Sequence, residues 1–427
     1  MSQRPGWNYW DASDLIKRGR LDIGDGYRAK NSEMGDEGLP FARAGNINNG
    51  FHFEDADFLS KESVEKAKAA GKLSKPGDVT FTSKGTFGRF AYVSERTLQF
   101  VYSPQLCYWR VKDHRLIDPR FLYYWMQGSD CMNQLVQIKG LTDMADYVSL
   151  TNQRRMWISA PPLPTQYKIA AILSAYDDLI ENNLRRINIL DEMAQNLYRE
   201  WFVKFRFTGH EKARFTDSPL GRIPEGWEVV RIKDVADVNA RNIKKGEAPA
   251  EIAYIDIASV SPGSIDNIEM MTFSDSPSRA RRITRHGDVI WSSVRPNRRS
   301  FSLIIDPPAN LVVSTGFAVI SANDVPFTYL YQTVTTDDFV AYLVNHAKGA
   351  AYPAVSAEDF ENADILIPSN KVLSNFDDHV LPTAVLAHRL KAKNATLRRT
   401  RDLLLPKLIS GQVDVSELDI AVPEDDA

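Results

Sequence analysis

The residues in this chain best suited to chemistry are arginines. From Ser278 to Ser300 it reads SRARRITRHGDVIWSSVRPNRRS, with Arg279, Arg281, Arg282, Arg285, Arg295, Arg298 and Arg299 set against one acid, Asp288. With histidine neutral that is +6. A guanidinium offers a planar fork of N–H donors that matches phosphate oxygens and the major-groove edge of guanine. Pro296 and Asn297 put the second half of the cluster on a loop behind a strand-like run, where side chains can reach outward. An earlier stretch, SKGTFGR, offers Lys84, Thr86 and Arg89, and LPFARAGNI carries Arg43. Each basic stretch is followed by a Lys-Gly loop. KGLTDMADY holds Lys139 and Tyr147, and KGAAYPAVS holds Lys348 and Tyr352. These positions are the expected nucleic-acid contacts. A solvated charge run is the alternative, and basic loops at matched places argue against it.

No pattern supplies catalysis. The sequence has no G-x-x-x-x-G-K-[ST] phosphate loop, no H-E-x-x-H and no G-x-S-x-G nucleophile elbow, and its seven histidines are scattered. Asp306-Pro307-Pro308-Ala309 resembles the Asp-Pro-Pro-aromatic motif of amino-methyltransferases, but Ala309 removes the ring that would stack on a base. No glycine-rich strand–loop is seen to hold a methyl donor, so a plain turn is expected there. No metal site is expected. The two cysteines, Cys107 and Cys131, exclude a disulfide framework or a cysteine-rich zinc site and fit a reducing cytoplasm.

The 427 residues suffice for two or three domains, and 43 % apolar content supports sizeable cores. No apolar run approaches the ~18–20 residues of a membrane span, and MSQRPGWNYW lacks the apolar stretch of a secretory signal. A net charge of −3 argues against coating nucleic acid through bulk charge, but allows local basic surfaces or a partner that supplies positive charge.

The elements that must position the basic loops occur twice. GWNYWDASDLIKRG begins at Gly6 and GWEVVRIKDVADVN at Gly226. Gly77-Asp78-Val79 returns as Gly287-Asp288-Val289, Lys139-Gly140 as Lys348-Gly349, and WISAPPLP as ILIPSNKV. The order is kept while the offset drifts from 220 (226 − 6) to 209 (349 − 140), as loop insertions would make it. Each copy is expected to open with a short Trp-containing helix. Strands follow (LPFARAGNI, DVTFTS and FAYV; IAYIDIASV, DVIWSS and FSLII). Next comes a helix (DPRFLYYWMQG; TTDDFVAYLVNHA), and then a strand, a proline cluster and a long helix.

The first long helix carries an apolar stripe at Ile169, Leu173, Tyr176, Ile180, Asn183, Ile187, Leu190, Ala194, Leu197 and Trp201. The alternating four–three spacing is that of a coiled-coil seam with one polar member. A helix from about Thr165 to Phe205 would be of order 60 Å long at ~1.5 Å per residue, too long for the core of a compact domain. The second stripe runs Val380, Thr383, Ala387, Leu390, Asn394, Leu397, Arg401, Leu404 and Leu408, and Pro382 should delay or kink its start. The two helices are expected to pair antiparallel as a spacer; two separate amphipathic helices, each packed on its own domain, is the alternative.

PPLPTQYKIAAILSAYDDLIENNLRRINILDEMAQNLYREWFVKFRF, SPLGRIPEGWEVVRIKDVADV and RTRDLLLPKLISGQVDVSEL resemble the conserved regions of the specificity subunits of type I restriction–modification systems. The resemblance covers the whole chain in organisation. It implies an α+β fold with pseudo-twofold internal duplication: two similar target-recognition domains separated by two long antiparallel coiled-coil helices. The expected domains are 1–163 and 206–370, the helices 164–205 and 371–410, and the tail 411–427. It implies a cytoplasmic, non-catalytic reader of double-stranded DNA in which each globular copy reads half of a split asymmetric target. The helices would dock two modification (methyltransferase) subunits, and restriction subunits would join that core. This chain would hold no cofactor. S-adenosylmethionine would bind the methyltransferases, and ATP and magnesium would serve the restriction partner. Two rivals stay open: a coiled-coil adaptor that binds proteins without DNA, and a nuclease or methyltransferase in its own right.

Overall fold

A computed structural model of the chain describes residues 4–48, 50–84, 88–138, 140–142, 145–244 and 246–423. The chain divides into two compact units, one of residues 1–181 with 394–427, the other of residues 182–393.

In the first unit the central sheet is antiparallel, in the order Leu21–Asp25, Leu106–Val111, Asp78–Thr82, Phe90–Tyr92. All of Leu106–Val111 is buried, as befits an inner strand covered on both faces. Helices Pro119–Gln127 and Ser129–Ile138 follow. The first is capped by Asp118, whose carboxylate accepts the Phe121 N–H at 2.6 Å, and proline occupies its first turn. It buries Phe121, Leu122 and Trp125 in the same core as Val79, Phe81 and Trp109 of the sheet.

The second unit repeats this sheet as Ala236–Val238, Phe317–Ala322, Val289–Ser292, Phe301–Leu303, again antiparallel throughout. Helices Phe327–Val334 and Asp337–His346 follow. It adds a second four-stranded sheet, in the order Glu269–Thr272, Glu251–Ile255, Leu311–Ser314, Ala280–Ile283.

The duplication extends to single hydrogen bonds. The Gly77 N–H donates to Val93 O and the Gly287 N–H to Ile304 O, both at 2.8 Å. The Val93 N–H donates to Asp78 O, and the Ile304 N–H to Asp288 O. Both glycines sit at φ +86°, a turn that any residue with a Cβ would strain, which is why Gly-Asp-Val recurs. Beneath each turn lies a buried acid: Asp78 pairs with Arg110 at 2.5 Å and Asp288 with Arg241 at 2.6 Å.

Three expectations are corrected. Trp10 stands on a strand, Asn8–Asp11, and the helix begins only at Ala12. In the second unit Trp227 precedes the strand Glu228–Arg231. Each opening segment pairs antiparallel with the closing strand of its own copy (Trp157–Ala160; Asp364–Ile367), and that pairing overrides local preference. DPRFLYYWMQG and TTDDFVAYLVNHA are not counterparts either, because in each copy two successive helices follow the central sheet and Phe327–Val334 answers Pro119–Gln127. The β-branched and aromatic run FTYLYQTV hides that helix from a sequence reading; burial of Tyr329, Leu330 and Val334 in the core supplies its stability. Finally, Pro382 does not delay the second long helix, which runs from Asn370 to Ile409 straight through it, with Pro382 exposed.

The first long helix spans Leu163–Tyr198 and closes in a π-helical turn, Arg199–Val203. Within the first unit, Asp177 meets Arg401 at 2.5 Å and the Asn394 side chain donates to Ile180 O at 3.3 Å. One helix advances as its partner recedes, so the pair is antiparallel. Ile169 and Leu173 pack in one core with Leu405, Leu408 and Ile409. Within the second unit, Ile187 and Leu190 pack on Ala387 and Leu390. Asn183 and Asn394 are buried, as seam positions should be, and Tyr176, Leu197, Leu397 and Leu404 are half-buried along it.

Candidate nucleic-acid interface

In the first unit, strand Asp78–Thr82 delivers Ser83 and Lys84 to one end of the sheet. The Val148 N–H donates to Ser83 O at 3.1 Å, and Lys84 bridges Tyr147, so the two expected basic loops lie side by side. Lys84 and Tyr147 are both exposed. Arg89 reaches back from the same loop; its Nη1 donates to Ile47 O at 3.3 Å and Ala44 O at 3.5 Å. That brings in the turn carrying Arg43, which lies over the Phe41 ring and pairs with Asp57 at 2.8 Å. Thr86 and Lys139 lie outside the described residues.

The second unit builds the same corner. The Val355 N–H donates to Ser293 O at 2.9 Å, and Val294 bridges Ala354. The loop after strand Val289–Ser292 holds Arg295 at φ +51° and Arg299 at φ +55° around a short turn, Pro296–Arg298. Left-handed backbone costs an L-residue about 1–2 kcal/mol, and two such residues within five mark a loop whose shape the rest of the unit imposes. Arg299 is held by Asp337 at 2.5 Å. Asn297 and Arg298 are exposed, and among the described residues Arg298 has no ion-pair partner. The Arg295 guanidinium lies over Tyr352, 4.6 Å from the ring centroid, and Tyr352 is 70 % exposed.

The seven-arginine run is therefore divided. Arg279, Arg281 and Arg282 lie at or on strand Ala280–Ile283 of the other sheet. Arg279 is fixed by Asp256 at 2.5 Å and by the Tyr254 hydroxyl at 3.2 Å, and Arg281 lies over the Phe273 ring at 4.8 Å. Arg282 turns inward: its Nε and Nη1 are buried without hydrogen-bond partners among the described residues, and burial pushes its pKa below the usual guanidinium value. The Thr315 N–H donates to Arg279 O while the Ser293 N–H donates to Gly316 O, both at 2.8 Å, so one turn joins the Arg279 strand to the basic loop. Tyr254 and Asp256 were missed as partners of Arg279 because they stand 25 and 23 residues upstream, on and just past the end of another strand.

The Asp306–Ala309 motif lies at a bend, with Asp306 at φ +45° beside His286 Nδ1 at 3.1 Å. Among the described residues no group of three or more His, Cys, Asp or Glu is placed to hold a metal ion, and no helix is long and apolar enough to cross a membrane.

A family model for the type I restriction modification DNA specificity domain matches residues 12–191 and again 224–378. The chain is 26 % identical over 306 residues to the type I restriction enzyme MjaIX specificity subunit of Methanocaldococcus jannaschii, covering 70 % of each chain. To the MjaVIII specificity subunit of the same organism it is 23 % identical over 280 residues, 61 % of this chain and 63 % of that one. Among solved structures, the type I restriction–modification S subunit from M. genitalium shares the fold with a TM-score of 0.58, at 14 % identity over 96 % of this chain and 98 % of that one. One match falls on each copy of the repeat and together they span most of the sequence: the chain belongs to the family of type I restriction modification DNA specificity domains.

Proposed function

We propose that this chain is the sequence-specific DNA-recognition subunit of a type I restriction–modification complex in the cytoplasm. Residues 1–163 and 206–370 each read one half of a split asymmetric target in double-stranded DNA. The helices at 164–205 and 371–410 dock two modification (methyltransferase) subunits, with restriction subunits joining that assembly. Chemistry resides in those partners: S-adenosylmethionine with the methyltransferase, ATP and magnesium with the restriction subunit. The observation that carries the reading is that both units place a strand-end basic loop against a Lys-Gly loop through the same backbone bond, Val148 to Ser83 and Val355 to Ser293. Cations of that corner meet phosphates and base edges, and the acidic net charge is offset by partners that complete the grip.

The test is duplex binding by the purified complex of the full chain with its methyltransferase partner, across a salt series. Affinity is expected to fall steeply with salt. Arg298→Ala, which removes an exposed and unpaired cation, should weaken all sequences alike and reduce the salt slope by roughly one unit. A complex that binds no duplex, or binds with no salt dependence, contradicts the proposal.

A further inference from the structure

Three of the interface arginines are neutralised by a nearby carboxylate: Arg43 by Asp57, Arg279 by Asp256 and Arg299 by Asp337. Arg295 is ordered by other means. Its own N–H donates to Pro353 O at 2.7 Å, its Nη2 donates to Ala351 O at 3.2 Å, and its guanidinium is stacked on Tyr352. The loop that holds it is itself closed by a reciprocal pair of bonds between Lys348 and Ala354, both 2.9 Å. Among the described residues no acid pairs with Arg295, so its charge is uncompensated while its plane is fixed. Of five N–H donors, one is used by Ala351 O, which leaves a donor on each terminal nitrogen.

We infer that Arg295 is the guanine-reading residue of the half-site taken by the second unit, with Tyr352 as the face that holds its fork in plane. This rests on the DNA-recognition reading above. A rigid fork of donors only is complementary to an edge of two acceptors. In the major groove guanine presents that edge with O6 and N7, whereas adenine pairs an acceptor with a donor, thymine an acceptor with a methyl, and cytosine offers a donor. A phosphate would accept the same donors, but phosphates are alike at every step of the duplex, so a fork fixed in one plane adds selectivity only against a base edge; exposed Arg298, two residues past Pro296, suits the phosphate role. Fixing the guanidinium beforehand lowers the entropy lost on contact.

The test uses the purified complex of the full chain with its methyltransferase partner, once its methylated motif has been mapped. Guanines of the second unit's half-site are replaced one at a time by 7-deazaguanine, which removes N7 and leaves the protein untouched. One replacement, which breaks one of the two bonds, should weaken the wild-type complex by at least about 5-fold, within the roughly 150-fold of a full bidentate pair. Arg295→Asn, chosen because asparagine tolerates left-handed backbone, should weaken binding to the natural duplex at least as much and lose nothing more at 7-deazaguanine. Arg295→Lys, whose ammonium still donates to O6 and N7 but has no planar fork to stack, should keep only part of the discrimination despite its charge, and Tyr352→Phe should retain it. The inference is overturned if the half-site contains no guanine on either strand. It is also overturned if no 7-deazaguanine weakens the wild type, or if a folded Arg295→Asn complex keeps its base preference or weakens equally on all sequences with a lower salt slope. A wild-type complex without sequence preference would instead overturn the DNA-recognition reading itself.

Discussion

Replacing Ile187 with aspartate is expected to break the helix pair of the second unit. Ile187 is 4 % exposed and packs on Ala387 and Leu390 of the partner helix, with Leu190 one turn further along. The substitution removes the packing of a full aliphatic side chain and puts a carboxylate into an apolar seam. The apolar loss alone is about 1.5–3 kcal/mol, and an unpaired buried charge adds about 3–5 kcal/mol before protonation relieves part of it. Ile187→Val, which trims one methyl and keeps the seam apolar, should cost only about 0.5–1.5 kcal/mol. Denaturant unfolding of the full chain reads both. Aspartate that lowers stability no more than valine would mean the stripe is not a packed seam.

The second large effect lies in the first unit, under the Gly77 turn. Asp78 is completely buried and binds Arg110 through both of its oxygens, at 2.5 and 2.7 Å. It also accepts from the Tyr102 hydroxyl at 2.7 Å and the Lys75 N–H at 2.9 Å. Asp78→Ala would leave the Arg110 guanidinium with the Leu73 carbonyl and the face of Tyr108 as its remaining company. Removing one partner of a buried pair costs about 3–5 kcal/mol, because the stranded charge keeps its desolvation penalty. Replacing Asp78 and Arg110 together by apolar residues should cost far less than the single change. A double-mutant cycle by calorimetry checks this. Equal losses for Asp78→Ala and the double variant would show that the pair is not what holds this turn.

The sequence carries some of this plainly and hides the rest for physical reasons. The duplication is legible because a turn at φ +86° demands glycine and the acid beneath it demands a cation, so Gly-Asp-Val is pinned in both copies. The cation is not legible: Arg110 comes from the neighbouring strand in one unit, while Arg241 comes from a segment before the second sheet in the other. The helix seam shows itself because a stripe of that length has no rival period. Strands Leu106–Val111 and Phe317–Ala322, one of the two inner strands of each sheet, went unread because they are buried on both faces, show no alternation and lack the Gly-Asp turn that announces the equally buried Asp78–Thr82 and Val289–Ser292. In the candidate site, the composition marks seven arginines as equivalent. Which are free is decided by Asp256 and Asp337, acids remote in sequence, and by the inward turn of Arg282.

The central claim is that each globular copy reads its own half of the target. The most direct measurement is methylation mapping in a host that carries this chain with its methyltransferase partner. The natural chain is compared with a chimera whose residues 1–163 are replaced by the matching segment of a relative with a different target. The motif written by the chimera should change in one half and keep the other half base for base, because the basic corner at Ser293 and Val355 is built wholly from residues 182–393. A chimera that methylates but writes a motif changed in both halves, or one identical to the natural motif, would contradict the account.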